Sequence, residues 1–83
     1  MPKHWFSFCP SCGREGQLIV MKRHDNGQLF LECDECSAAW SRPEDIGVVL
    51  AFWGFDVASD FANSDDISNA GWTRYDLKQT RGS

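Results

Sequence analysis

The sequence predicts an α+β fold, a small β-hairpin sheet followed by two or three short helices, in a single domain spanning residues 1–83. Three observations carry this expectation. Two C-x2-C pairs, Cys9/Cys12 and Cys33/Cys36, are separated by 20 residues that read as strand, turn and strand. The turn holds Asn26-Gly27, the strongest short-range hairpin signal. Beyond Pro43 the apolar residues fall at the i, i+3, i+4, i+7 spacing of a helix face. Residues 1–41 are therefore expected to form the sheet, and residues 42–80 a helical half packed on it.

Composition sets the outer limits. A chain of 83 residues buries a marginal core and needs a further staple, such as a metal. An apolar fraction of 42% with 13% aromatics is that of a folded protein. No apolar run approaches the ~20 residues of a membrane span, and Gly47 and Gly54 interrupt the longest, Ile46 to Phe55. Met1 to Trp5 contains no signal-peptide core, so the expected compartment is the cytoplasm. Thiols stay reduced there, which points to metal before disulfides.

The cysteine spacing accounts for the staple. A C-x2-C turn aims two sulfurs at one point, and Gly13 after Cys12 allows the chain to turn back with positive φ. Cys9, Cys12, Cys33 and Cys36 together supply a closed tetrahedron of thiolates, the donor set of a structural Zn²⁺, which leaves no position for water or substrate. Iron suits the same four sulfurs. His4 and His24 are substitute donors by type, but both read as solvent-facing. The alternatives of free or disulfide-linked cysteines, or a redox C-x2-C at a helix start, lack a supporting context.

Between the pairs, Gln17 to Lys22 is one strand and Gln28 to Cys33 its return. Ala38 to Trp40 reads as a third strand, with Trp5, Phe6 and Phe8 in an entering strand beside it. On these residues, 5–40 resemble a zinc ribbon, a fold shared by transcription-factor, polymerase-subunit and ribosomal-protein modules. The resemblance implies the fold and the zinc, but ribbons bind DNA, RNA and proteins alike.

In the second half, Ser41, Pro43 and Glu44 read as a helix start, and Ile46, Val49, Leu50 and Trp53 fall on one helical face, with Gly54 as its end. Asp56 to Asn63 reads as a second helix through Val57 and Phe61. Ser64 to Gly71 reads as a third, with Ser64 as cap, Asp65 and Asp66 at the positive end and Gly71 as stop. Asp65 through Trp72 resembles a closing element of short bacterial proteins, in which a small helix tucks a Gly-Trp against the domain.

The charge pattern narrows function. The net charge is -4, and all of it lies in residues 43–83. Residues 43–73 contain six acids and no Lys or Arg. Phosphate backbones are disfavoured by such a balance, and a basic partner is attracted. No nucleophile–base set or phosphate-cradling glycine loop is present, so the chain is expected not to be an enzyme. The expected function is protein binding, as in small acidic bacterial proteins that neutralise a basic toxin or nuclease, or as a regulatory adaptor. Asp56, Asp60, Asp65, Asp66 and Phe55 are the expected contact residues. The alternative is a nucleic-acid-binding ribbon that uses Arg14, Lys22, Arg23 and Arg42, with Trp5, Phe6, Phe8 or Phe30 stacking on bases.

Overall fold

The computed structural model describes residues 3–13, 15–36, 38–46, 48, 52–53 and 58–80. Among them seven strands make one antiparallel sheet: β1 (Lys3–Phe8), β2 (Gln17–Arg23), β3 (Leu29–Cys33), β4 (Ala38–Trp40), β5 (Phe52–Trp53), β6 (Ser59–Phe61) and β7 (Lys78–Thr80). The order across the sheet is β5-β4-β3-β2-β1-β7, with β6 also paired to β2. The single α-helix of the described residues, α1, runs Ser64–Asn69.

The hairpin forms where the sequence places it. β2 and β3 pair from Leu18↔Cys33 to Lys22↔Leu29. Gly27 turns with φ 72°, and the Asn26 side chain accepts from the Gln28 amide at 2.9 Å. Both strands carry consecutive apolar residues because both faces are covered. Leu18, Val20, Leu29, Leu31, Ala38 and Trp40 are buried on one face with Ala62, Ile67 and Trp72. Ile19, Phe30 and Ala39 are buried at the alternate positions. The entering strand β1 pairs with β2 (Trp5↔Ile19, Phe8↔Gln17), and not with β4 as its sequence context suggests.

Among the described residues, the two or three helices expected after the sheet reduce to one short helix. At the first, Pro43–Asp45 makes only a 3-10 turn, and Ile46 is already extended at φ -64°, ψ 121°. Phe52–Trp53 is a strand on β4, pairing Ala38↔Trp53 and Ala39↔Phe52. Val49, Leu50 and Gly54 lie outside the described residues. Val, Leu, Phe and Trp in one run satisfy a strand as well as a helix, and β4 supplies an open edge to pair with. At the second, Ser59–Phe61 is also a strand. β1 pairs with β2 no further than Ile19, with β7 on its other edge, and the open edge at Met21–Arg23 is taken by β6. Backbone groups left open there outweigh the weak strand propensity of Ser59 and Asp60.

The third helix exists, capped one residue earlier than expected. Asn63 Oδ1 accepts from the Asp66 amide at 2.8 Å, and Asp66 Oδ2 accepts from the Asn63 amide at 3.1 Å. This reciprocal pair satisfies two amides that the helix itself leaves open. Gly71 ends the segment at φ 74°, and Trp72 turns into the core behind it. Tyr75 then packs edge-on against Phe6 and Trp72. Its hydroxyl donates to Glu44 at 2.6 Å, tying the C-terminal turn to the 3-10 turn at Pro43.

Asn63→Ala should cost about 1 kcal/mol in urea unfolding, the usual value of a helix N-cap. The hydrogen bond from the Lys22 ammonium, helped by the Asn63 amide, holds the Asp66 carboxyl below its ordinary 3.8. That contribution is complete above pH 3.8 and is lost as the pH falls through the lower folded-state value. Asp66→Asn should therefore flatten part of the acid limb of a stability-versus-pH curve. Asp25 and Glu44, lowered by Arg23 and by Tyr75 respectively, would keep the remainder.

Candidate metal centre

The β2–β3 register brings the cysteines together. Cys33 ends β3 opposite Leu18, so the second knuckle emerges beside the start of β2. The first knuckle is fastened to the same place: the Cys9 amide donates to the Gly16 carbonyl at 2.8 Å. Gln17 fastens the second. Its amide donates to Asp34 Oδ1 at 2.8 Å, and its carbonyl accepts from the Asp34 amide at 3.1 Å. Two adjacent residues, Gly16 and Gln17, thus clasp both knuckles.

The four sulfurs lie within 4.8 Å of one another. The Cys9–Cys36 and Cys12–Cys33 sulfurs are 3.7 and 3.6 Å apart. A regular tetrahedron built on Zn–S bonds of about 2.3 Å has edges of about 3.8 Å, which these separations match closely. Cys9 and Cys33 are buried, and Cys12 and Cys36 are half-buried towards solvent. Amides of Glu35 and Cys36 donate to the Cys33 sulfur at 3.3 and 3.4 Å. These are the donors that stabilise thiolate character in a metal knuckle.

Protonation follows position. Burial pushes the Cys33 thiol up to about 12, against the pull of those two amides. Burial also raises Cys9. At Cys12 the desolvation is outweighed by the Gly16 amide and the neighbouring thiols, and the thiol is lowered. Buried thiolates need a cation to offset their desolvation, and four of them need one that binds all four. This constellation could hold a metal ion. It has the chemistry of a closed four-sulfur centre.

Every expected sulfur ligand is in the cluster. Neither histidine is: His4 lines a separate cavity with Tyr75 and Leu77, and His24 Nε2 lies 2.6 Å from Asp60. The expected acidic contact residues are dispersed. Asp60 pairs with His24, Asp66 is held by Lys22 at 2.9 Å and by the helix cap, and Asp65 is exposed on α1. Phe55 and Asp56 lie outside the described residues.

One residue that positions the site escaped sequence reasoning. A Cβ on Gly16 would lie 2.3 Å from the Cys33 sulfur and 3.0 Å from Asp34 Oδ1. Only glycine fits there. Gly13, singled out from sequence, does have positive φ, at 71°, but faces open space. The one available signal was a second glycine between the first pair and the strand, with no reason to prefer it over Gly13.

No protein-family model, curated protein or solved structure matches the chain. Among the described residues no helix is long and apolar enough to cross a membrane.

Gly16→Ala should lower metal affinity by about 10–100-fold, the range for a residue that orients ligands from behind. Gly13→Ala should instead cost about 1–2 kcal/mol of stability through its positive φ and leave metal affinity near wild type. Competition with a chromophoric chelator separates the two.

Proposed function

We propose that the chain is a zinc-ribbon module, in which Cys9, Cys12, Cys33 and Cys36 hold a structural Zn²⁺, and that it works by binding a basic protein as an inhibitor or adaptor. The observation that carries the zinc reading is the set of four sulfurs within 4.8 Å of one another, clasped from two sides by Gly16 and Gln17. Such a set leaves no coordination position for a substrate, so the ion would stabilise the fold rather than activate water. A structural, non-enzymatic role follows from that donor set.

Protein binding is supported by how the charges pair. Of the four cations that a nucleic-acid reading relies on, Lys22, Arg23 and Arg42 are engaged by Asp66, Asp25 and Asp45, and Arg14 lies outside the described residues. Of the aromatic residues offered for stacking, Phe30 is buried and Phe6 packs against the core. Glu15, Asp34 and Glu35 are exposed beside the knuckles. Four thiolates around Zn²⁺ would add a further charge of about -2 at that end. A surface of this sign accelerates encounter with a basic protein and repels phosphate.

Elemental analysis of the purified chain should find one zinc per molecule, and Cys36→Ser should lose both the zinc and cooperative unfolding. A Cys36→Ser chain that stays as stable as wild type would overturn the structural-zinc reading, and a red, iron-loaded protein would replace zinc with iron. Anisotropy titrations against a panel of basic proteins and a single-stranded oligonucleotide test the partner class. Salt-sensitive binding to basic proteins alone is expected; binding to the oligonucleotide alone would reverse the assignment.

A further inference from the structure

A cleft of about 570 Å³ opens on the α1 side of the sheet, at the far end of β2 from the knuckles. Lys22 and His24 from the end of β2, Asp60 and Phe61 from β6, and Asn63 and Asp66 from the start of α1 line it. Buried Ala62 forms its floor, fixed by its amide hydrogen bond to the Val20 carbonyl at 3.0 Å. Two polar pairs form its walls, Lys22–Asp66 at 2.9 Å and His24–Asp60 at 2.6 Å.

The walls are not equivalent. Asp66 is closed off, with one oxygen on the Lys22 ammonium and the other on the Asn63 amide. Asp60 engages His24 through Oδ2 alone, and among the described residues no donor reaches its Oδ1. Its side chain is 77% exposed. Unlike a guanidinium or an ammonium, the imidazole of His24 carries charge only when protonated. Elsewhere the ion-paired carboxylates, Asp25, Glu44 and Asp45, each face a guanidinium. Asp60 is thus the paired carboxylate whose partner carries no permanent charge, and it stands at the rim of a concave site.

The cleft therefore holds two carboxylates against one permanent cation, Lys22, a balance that disfavours an anion. A guanidinium meets the opposite conditions. It can donate to the open side of Asp60, and its planar fork presents several N–H donors to that oxygen. A lysine ammonium would gain the charge but not the planar fork.

We infer that this cleft receives an arginine side chain of the partner protein, with Asp60 as its acceptor. The inference rests on the reading of the chain as a binder of basic proteins, and it assigns the contact to one place. It also separates the roles of the acids: Asp60 meets the partner, Asp66 holds the wall, and Asp65 lies outside the cleft.

The test is a ¹⁵N–¹H titration of the metal-loaded protein with the blocked peptide Gly-Arg-Gly, and with its citrulline counterpart, which has the same shape and no charge. The arginine peptide should shift the amides of Lys22, His24, Asp60 and Asn63, and added salt should weaken the effect. Asp60→Asn, at an exposed position, should keep the wild-type spectrum elsewhere and bind roughly tenfold more weakly, the loss expected for a charge-assisted hydrogen bond. Asp65→Asn removes the same charge outside the cleft and should leave affinity nearly unchanged. Equal weakening by both variants, or equal shifts with citrulline, would overturn the assignment. Shifts centred on Glu15, Asp34 and Glu35 would overturn the cleft and leave the basic-partner reading standing. No binding of the arginine peptide at any site would overturn both.

Discussion

The pairing register of β2 with β3 is the constraint on which the rest of the molecule depends. Leu18 faces Cys33 across the ladder, and that match puts the last residue of one strand beside the first turn of the other. A slip by one residue would carry Cys33 to the opposite face of the sheet and take the second knuckle with it. The register is held by burial on both faces, since Leu18, Val20 and Leu31 are fully enclosed on one and Ile19, Phe30 and Ala39 are buried on the other. Gly16 and Gln17 then convert register into a site, because each fastens one knuckle through the backbone. The contact between Gly16 and the Cys33 sulfur leaves no room for a side chain.

The same sheet also decides what the charges can do. In the sequence, residues 43–73 form an acidic stretch without a single Lys or Arg. Folding brings cations to it from elsewhere: Lys22 from β2 reaches Asp66, Arg74 reaches Glu44, and Arg42 reaches Asp45. Exposed pairs of this kind add little stability. Their larger consequence is that the acidic stretch no longer acts as one surface. Among the described residues of that stretch, Asp60 and Asp65 are left without a fixed cation, and further uncompensated charge lies at the knuckle end.

Helix and strand were confused where an apolar run carried no decisive period. Ile46, Val49, Leu50 and Trp53 do lie at helical spacing, yet Phe52–Trp53 is a strand on β4. Ser59–Phe61 looks still less like a strand by composition, and becomes one because β1 pairs with β2 no further than Ile19 and leaves three residues with an open edge. Asn63 rather than Ser64 caps α1 for a similarly non-local reason: the chain leaves β6 at Ala62 and Asn63, and the extended geometry an N-cap requires is already set there, with Asn63 at φ -98°, ψ 179°. Each difference arises from a demand of neighbouring backbone that no window of sequence contains.

The sequence by itself determined the metal donors, the hairpin that joins them, the third strand after the second knuckle, and the short helix with Gly71 and Trp72 behind it. These are local matters: cysteine spacing, a turn residue, a β-rich run and a left-handed stop lie within a few residues of one another. Only the tertiary structure decided that Gly16 must lack a side chain, that β1 belongs beside β2, that the stretch after Pro43 completes the sheet, and that Asp60 is left with a histidine for its partner. Those outcomes depend on groups far apart in the chain. Open backbone edges and unpaired charges are satisfied by whatever the fold brings within hydrogen-bonding distance, and that distance is set by the sheet.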